Sequence, residues 1–179
     1  SCGGVIKKTT AAQRLVNIQS IKGGTITLSG NLSSTGTSTG INVSSCTGGT
    51  INFSGTTKTL NTPTVTPVTL ASNGGTTINF SGGGLAITSS TATGFNATGG
   101  ATAINVTGTG NVISSTTGTA LNVANSNIGA SGITFQSISA NGSANGITLN
   151  NTGNSGGLTV TGTAATDGSG GTIQNITNR

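Results

Sequence analysis

The chain has no His, no Glu, no Met, no Trp and no Tyr, and Asp167 is its only acidic residue. Each absence removes a chemistry. Without His there is no imidazole to activate a Ser or Cys nucleophile. One carboxylate cannot supply the paired acids of glycoside hydrolysis. Cys2 and Cys46, with no His and a single Asp, cannot complete a tetrahedral zinc site. The chain therefore reads as a non-enzyme without metal or cofactor. Charge is scarce as well, at 4% of residues, against roughly a quarter in an ordinary domain. No apolar run is long enough to span a bilayer, and Ser1-Cys2-Gly3-Gly4-Val5-Ile6 lacks the apolar stretch of a cleavable signal. No apolar stripe persists at helical spacing, which excludes a helical class.

What is present is a repeat. Val16, Ile41, Val68, Phe95, Leu121, Ile147 and Ile173 follow one another at 25, 27, 27, 26, 26 and 26 residues. All but the last open a short alternating run, as in Val16-Asn17-Ile18 and Leu121-Asn122-Val123. A second run follows in each copy: Ile26-Thr27-Leu28, Ile51-Asn52-Phe53, Ile78-Asn79-Phe80, Ile104-Asn105-Val106, Ile133-Thr134-Phe135 and Leu158-Thr159-Val160. A weaker third run carries Leu32, Leu60, Leu85 with Ile87, Val112 and Ile138. Alternation of apolar and small polar residues marks half-buried strands, and the Gly, Asn, Ser and Thr between them suit turns. Three strands per copy at a near-constant period predict an all-β fold, a parallel β-helix (β-solenoid) of about seven coils of 25–27 residues. Such a stack would be on the order of 30 Å long at the inter-strand spacing. A β-sandwich also uses short strands, but its strands do not recur in triplets at fixed spacing.

The basic residues give a net charge of +5, yet four of the six (Lys7, Lys8, Arg14, Lys22) precede residue 23, and Lys58 and Arg179 stand apart. No basic stripe with interleaved aromatics follows the repeats, so nucleic acid is not an expected partner. Residues 1–14 read as a leader or cap and 15–179 as the solenoid. The last copy breaks off inside a repeat, which implies continuation into a longer repeat region or an open end that docks on another subunit. Cys2 and Cys46 are a disulfide candidate, the alternative being two free thiols; a bond would stabilise by roughly 4 kcal/mol and place the chain outside a reducing compartment. Ser81-Gly82-Gly83-Gly84 and Gly108-Thr109-Gly110 invite a phosphate-loop reading, but neither has the following helix or the Lys-Ser/Thr pair. Asp167-Gly168-Ser169-Gly170-Gly171 has too little charge for calcium and reads as a turn.

Any function must sit on the outward positions. The second run presents Thr27, Asn52, Asn79, Asn105, Thr134 and Thr159 beside Ser29, Ser54, Ser81, Thr107, Gln136 and Thr161. The first presents Asn17, Asn42, Thr69, Asn96, Asn122 and Thr148. Outward Asn, inward apolar and outward Ser or Thr generate Asn-x-Ser/Thr sequons automatically, so these are strand pattern before they are glycosylation signals. Stacked Asn can form amide ladders that stiffen a rod. Alternatively, hydroxyls and amides about 4.8 Å apart between coils form a lattice that orders water. Ice-binding β-solenoids with Thr-x-Thr faces use this device, but across the two outward columns of the second run only Thr159-Val160-Thr161 matches that pattern, and Asn or Ser fills most other places.

From Gly118 onward, Gly118-Thr119-Ala120-Leu121-Asn122-Val123, Ser131-Gly132-Ile133-Thr134-Phe135, Asn145-Gly146-Ile147-Thr148-Leu149-Asn150-Asn151-Thr152 and Gly156-Gly157-Leu158-Thr159-Val160-Thr161-Gly162 resemble bacterial extracellular β-strand-repeat proteins. These are similar in style to filamentous-haemagglutinin-like and autotransporter-type adhesins, and the likeness extends over most of the chain from Leu15. The resemblance implies a right-handed helix sense, an extracellular or cell-surface setting, and a non-catalytic structural or adhesive rod that associates with further coils of its own kind. Ice binding is the first alternative. A glycan-binding or degenerate carbohydrate-enzyme β-helix is the second, although the acidic clusters of pectate lyases and polygalacturonases have no counterpart.

Overall fold

The computed structural model describes residues 4–10 and 12–178. Every strand lies in one of three parallel sheets, and the chain visits the three in rotation, making a β-solenoid of about six turns with three strands per coil. The first sheet stacks Val16–Gln19, Ile41–Ser44, Val68–Ala71, Phe95–Thr98, Leu121–Ala124 and Ile147–Asn150. Its inward column Val16, Ile41, Val68, Phe95, Leu121, Ile147 is in register throughout, as the repeat spacing predicts. The second sheet runs from Lys22–Leu28 to Leu158–Val160 and the third from Ile6–Lys8 to Ile173–Gln174. The third sheet thus begins inside the segment read as a leader.

The core is the interior of the coil. Ile51, Phe53, Leu60, Ile78, Phe80, Leu85, Phe95 and Phe135 are fully buried there. All four Phe join one internal aromatic run. Phe53 stacks on Phe80 with centroids 4.7 Å apart, Phe80 meets Phe95 edge-on at 5.7 Å, and Phe95 meets Phe135 at 6.5 Å. Offset and edge-to-face pairs add about 0.5–1.5 kcal/mol each beyond the area they bury.

The turn out of the first sheet repeats in every coil. Gln19, Ser44, Ala71, Thr98, Ala124 and Asn150 close the six strands in register. The next residue in each case, Ser20, Ser45, Ser72, Gly99, Asn125 or Asn151, has a left-handed backbone with φ between 50° and 77°. The amide N–H groups of Ser20, Ser45, Ser72, Gly99 and Asn125 donate to the last strand residue of the next coil. Left-handed backbone costs an ordinary residue roughly 1–2 kcal/mol, and small polar residues or Gly tolerate it best. The composition of this corner therefore follows from its geometry.

Three expectations fail. Ile173 does not open a seventh copy of the first sheet; it pairs with Ala140 in the third, reached directly by the connection after Val160. Val112 faces outward beside Ala86 and Ser137, and Ile113 fills the inward place between Ile87 and Ile138. Leu32 shares its column not with Leu60 but with Lys58 and Leu85, while Leu60 aligns with Ser34 and Ile87.

Because the corner needs positive φ at Ser72, Ser72→Val is expected to lower stability by about 1–2 kcal/mol, whereas Ser72→Gly leaves it equal or higher. Thermal unfolding followed by circular dichroism checks this, and an unchanged midpoint for the Val variant would contradict the corner argument.

Candidate functional site: outward ladders and inward carbonyl cages

Parallel in-register stacking places like residues over like. On the second sheet Thr27, Asn52, Asn79 and Asn105 form one column. Their side chains make a one-way relay. Asn52 Nδ2 donates to Thr27 Oγ1 at 3.3 Å, Asn79 Nδ2 to Asn52 Oδ1 at 2.8 Å, and Asn105 Nδ2 to Asn79 Oδ1 at 2.8 Å. Hydrogen bonds aligned in this way polarise one another in the same sense. Thr25, Thr50 and Thr77 stand beside the relay: Thr25 pairs with Thr50, and Thr50 with Thr77. Ser29, Ser54, Ser81 and Thr107 follow the strands on the other side. There the amides of Ser54, Ser81 and Thr107 continue the coil-to-coil bonding, to Leu28, Phe53 and Phe80 carbonyls.

Thr134 and Thr159 were expected to extend the Asn column, and they do not. Thr134 pairs with Thr159, but Ile133 lies beside Val106 and Ile128 beside Ile104, so the four residues Gly129 to Gly132 stand opposite Asn105 alone and bulge out, three more than the register needs. The relay ends on this bulge, where the Ser131 N–H donates to Asn105 Oδ1 at 3.2 Å. An added Cβ on Gly129 would lie 2.3 Å from Asn105 Oδ1 and would displace that side chain from the relay. One signal was available: the second run steps 29 residues from Ile104 to Ile133, against 25 to 27 elsewhere. The flanking column breaks at the same point. Gln136 N–H bonds to the Asn111 carbonyl, and Thr161 N–H to that of Phe135.

The first-sheet ladder is in register for its whole length, yet its amide bonds form only in pairs. Asn42 Nδ2 donates to Asn17 Oδ1 at 2.8 Å and Asn122 Nδ2 to Asn96 Oδ1 at 2.7 Å. Thr69 stands between the two pairs and interrupts them.

Sequence reasoning missed an inward site. Lys58 is 1% exposed, on the third sheet between Leu32 and Leu85. Its Nζ donates to the carbonyls of Gly55, Ser81 (2.9 Å) and Gly83 (2.7 Å). The motif Ser81-Gly82-Gly83-Gly84 is thereby explained. Gly82, Gly83 and Gly84 all take positive φ, and two carbonyls of this turn face an ammonium instead of its N–H groups cradling a phosphate. A Cβ on Gly83 would lie 2.2 Å from the Thr109 carbonyl oxygen.

Two coils further on, Asn111 does the same work without charge. It bonds the Leu85 N–H through Oδ1 at 3.0 Å, and its Nδ2 reaches the Gly108 and Thr134 carbonyls, each at 3.1 Å. Thus Gly108-Thr109-Gly110 also encloses an inward donor. Burial lowers the Lys58 ammonium from 10.5 to about 8, while three carbonyl acceptors favour its charged form.

Cys46 is a buried thiol just past the left-handed Ser45, with Sγ 3.4 Å from the Ser44 carbonyl oxygen. Cys2 lies outside the described residues. Among the described residues no three His, Cys, Asp or Glu gather into a metal-binding group, and no helix is long and apolar enough to cross a membrane. No protein-family model matches the chain, and neither does any curated protein or solved structure.

Two outcomes are expected. Thr69→Asn should join the two first-sheet pairs into one relay and stabilise the fold by about 0.5–1.5 kcal/mol, whereas Asn79→Ala should cost about 1–3 kcal/mol by orphaning its neighbours; denaturant titration measures both. For Lys58, the folded value near 8 lies below the unfolded 10.5. Between these values the unfolded chain holds the extra proton, so stability rises with pH by up to about 1.4 kcal/mol per unit. Lys58→Met should lose that rise, and parallel stability-versus-pH curves for the two proteins would contradict the assignment.

Proposed function

We propose that this chain is a stretch of stiff, non-catalytic rod belonging to a bacterial secreted or cell-surface protein, acting as a spacer or adhesive stalk. The observation that carries the reading is the relay from Thr27 to Ser131, in which outward amides are bonded to one another along the axis. Each inner Asn has one donor and one acceptor engaged by its neighbours, so this column serves as a structural spine. The cores of successive coils are continuous, which suits a load-bearing element. An extracellular setting rests on the resemblance of the repeats to adhesin-type chains.

The rod also offers a surface for self-association. On the strands Ile147–Asn150, Leu158–Val160 and Ile173–Gln174, Leu149, Val160 and Ile173 are 43%, 40% and 45% exposed. These are the inward parities of the coil. A further coil of the same kind would cover them and pair the edges of these strands; where that coil belongs to a second copy, the contact is head to tail and does not close, so it grows fibres.

Ice binding is the second reading, and the Thr25, Thr50, Thr77 column beside the Asn relay favours it. Both readings meet in one experiment at millimolar protein, with thermal hysteresis and sedimentation measured together. The rod reading expects no hysteresis and concentration-dependent association that Leu149→Lys with Val160→Lys suppresses. Hysteresis abolished by Thr50→Tyr would replace the rod with an ice-binding face, and a strict monomer at all concentrations would remove end-to-end stacking.

A further inference from the structure

The wall of the solenoid is recessed at one corner. Between the second and third sheets the connection is five residues in the coil that contains Val106 (107–111) and twelve after Val160 (161–172). Between them, Phe135 and Ser137 are separated by Gln136 alone. The short corner sits back between two longer loops, and a cavity of about 250 Å³ occupies the recess. Thr134 and Gln136 form its floor; Gly108 and Thr109 stand on one side, Thr161 and Gly162 on the other.

The floor is rigid. Asn111 Nδ2 holds the Thr134 carbonyl at 3.1 Å, and the Gln136 N–H is bonded to the Asn111 carbonyl at 2.7 Å. The groups facing the recess are different. Among the described residues, the Gln136 side-chain amide and the Thr109 and Thr134 hydroxyls have no hydrogen-bond partner, while Thr161 Oγ1 reaches only the neighbouring Gly162 carbonyl at 3.2 Å. No charged and no aromatic side chain lines the space. This contrasts with the Asn relay a few residues away, whose amides are engaged with one another.

We propose that this recess is a subsite for a neutral, hydroxyl-rich ligand, namely one uncharged sugar ring at the end or branch of a glycan. An amide and hydroxyls present both donors and acceptors, which a sugar's hydroxyl groups match reciprocally. A lining without charge gives an anionic sugar no partner for its carboxylate and leaves that charge to be desolvated uncompensated. The volume lies below the roughly 300–1,000 Å³ of sites for drug-sized molecules, which fits a single ring. Without an aromatic platform, affinity belongs in the millimolar range. The subsite stands independently of whether the rod stacks end to end.

The test is a nuclear magnetic resonance titration of the full chain with neutral methyl glycosides, and with glucuronate as the charged control. Saturable shifts are expected for the Gln136 side-chain amide and the Thr109, Thr134 and Gly162 backbone amides, with the neutral sugars binding more tightly. Gln136→Ala should weaken binding about fivefold, the value of one lost hydrogen bond, with resonances distant from the recess unchanged. Should that variant fail to fold, Thr109→Val on the exposed loop serves the same purpose. Absence of saturable shifts at these residues, unchanged affinity in the variant, or tighter binding of glucuronate would each overturn the subsite.

Discussion

Backbone hydrogen bonding between neighbouring coils is the constraint on which everything else in this chain depends. No strand can satisfy its N–H and C=O groups within its own coil; each must meet the strand about 26 residues away in the next. Coils of nearly equal perimeter are therefore compulsory, and the corners must return the chain to the same place each time. The left-handed position after Gln19, Ser44, Ala71, Thr98, Ala124 and Asn150 is that requirement expressed in single residues. Variation is pushed into the connections that face outward. Register then stacks like on like, and this turns ordinary residues into cooperative columns: Phe53 on Phe80 within, Asn52 on Asn79 without.

The bulge from Gly129 to Gly132 is where one sheet departs from that rule, and several features follow from it. It stops the Asn relay by offering the Ser131 N–H where another Asn side chain would otherwise stand. It also carries Phe135 one pair further along the strand than Phe80, so that Phe135 lies beside Val160 rather than Val106 and still reaches Phe95. Thr134 consequently belongs to a different surface from Asn105, although both occupy the middle of an apolar-polar-apolar triplet. Local pattern and global register disagree here, and register decides the neighbours.

Much of this was legible in the sequence where spacing and alternation point the same way. The first-sheet column needed only the 25–27-residue period, because Val16 through Ile147 are apolar at every step and begin each strand. The third sheet was less legible because its inward places are not uniformly apolar: the column containing Leu32 holds Lys58, and the one containing Leu60 holds Ser34. A hydrophobic pattern cannot find a column that a buried amine interrupts. Ile173 was misplaced for the opposite reason, since it falls on the period by coincidence while the chain has already passed into the third sheet. Lys58 itself left one trace, its position two residues before Leu60 in an alternating run, and three successive Gly on the following coil mark the backbone that encloses it.

Lys58 and Asn111 show what a polar residue is for inside such a coil. Both lie at the same corner and both bind the carbonyl three residues back together with one from the next coil, yet one carries charge and the other does not. The shared function is therefore to satisfy carbonyls that tight Gly-rich turns direct inward, and the ammonium of Lys58 is one solution to it rather than evidence of catalysis. The same reasoning extends to the outer face. Wherever coils repeat in register, amides and carbonyls have partners of their own kind and little remains for a ligand. Around Gln136, where coil lengths differ, a side-chain amide and hydroxyls are left unengaged beside a recess. In a chain almost without charge or aromatic rings, such an irregularity of the stack adds a concave, polar surface that its flat faces do not have.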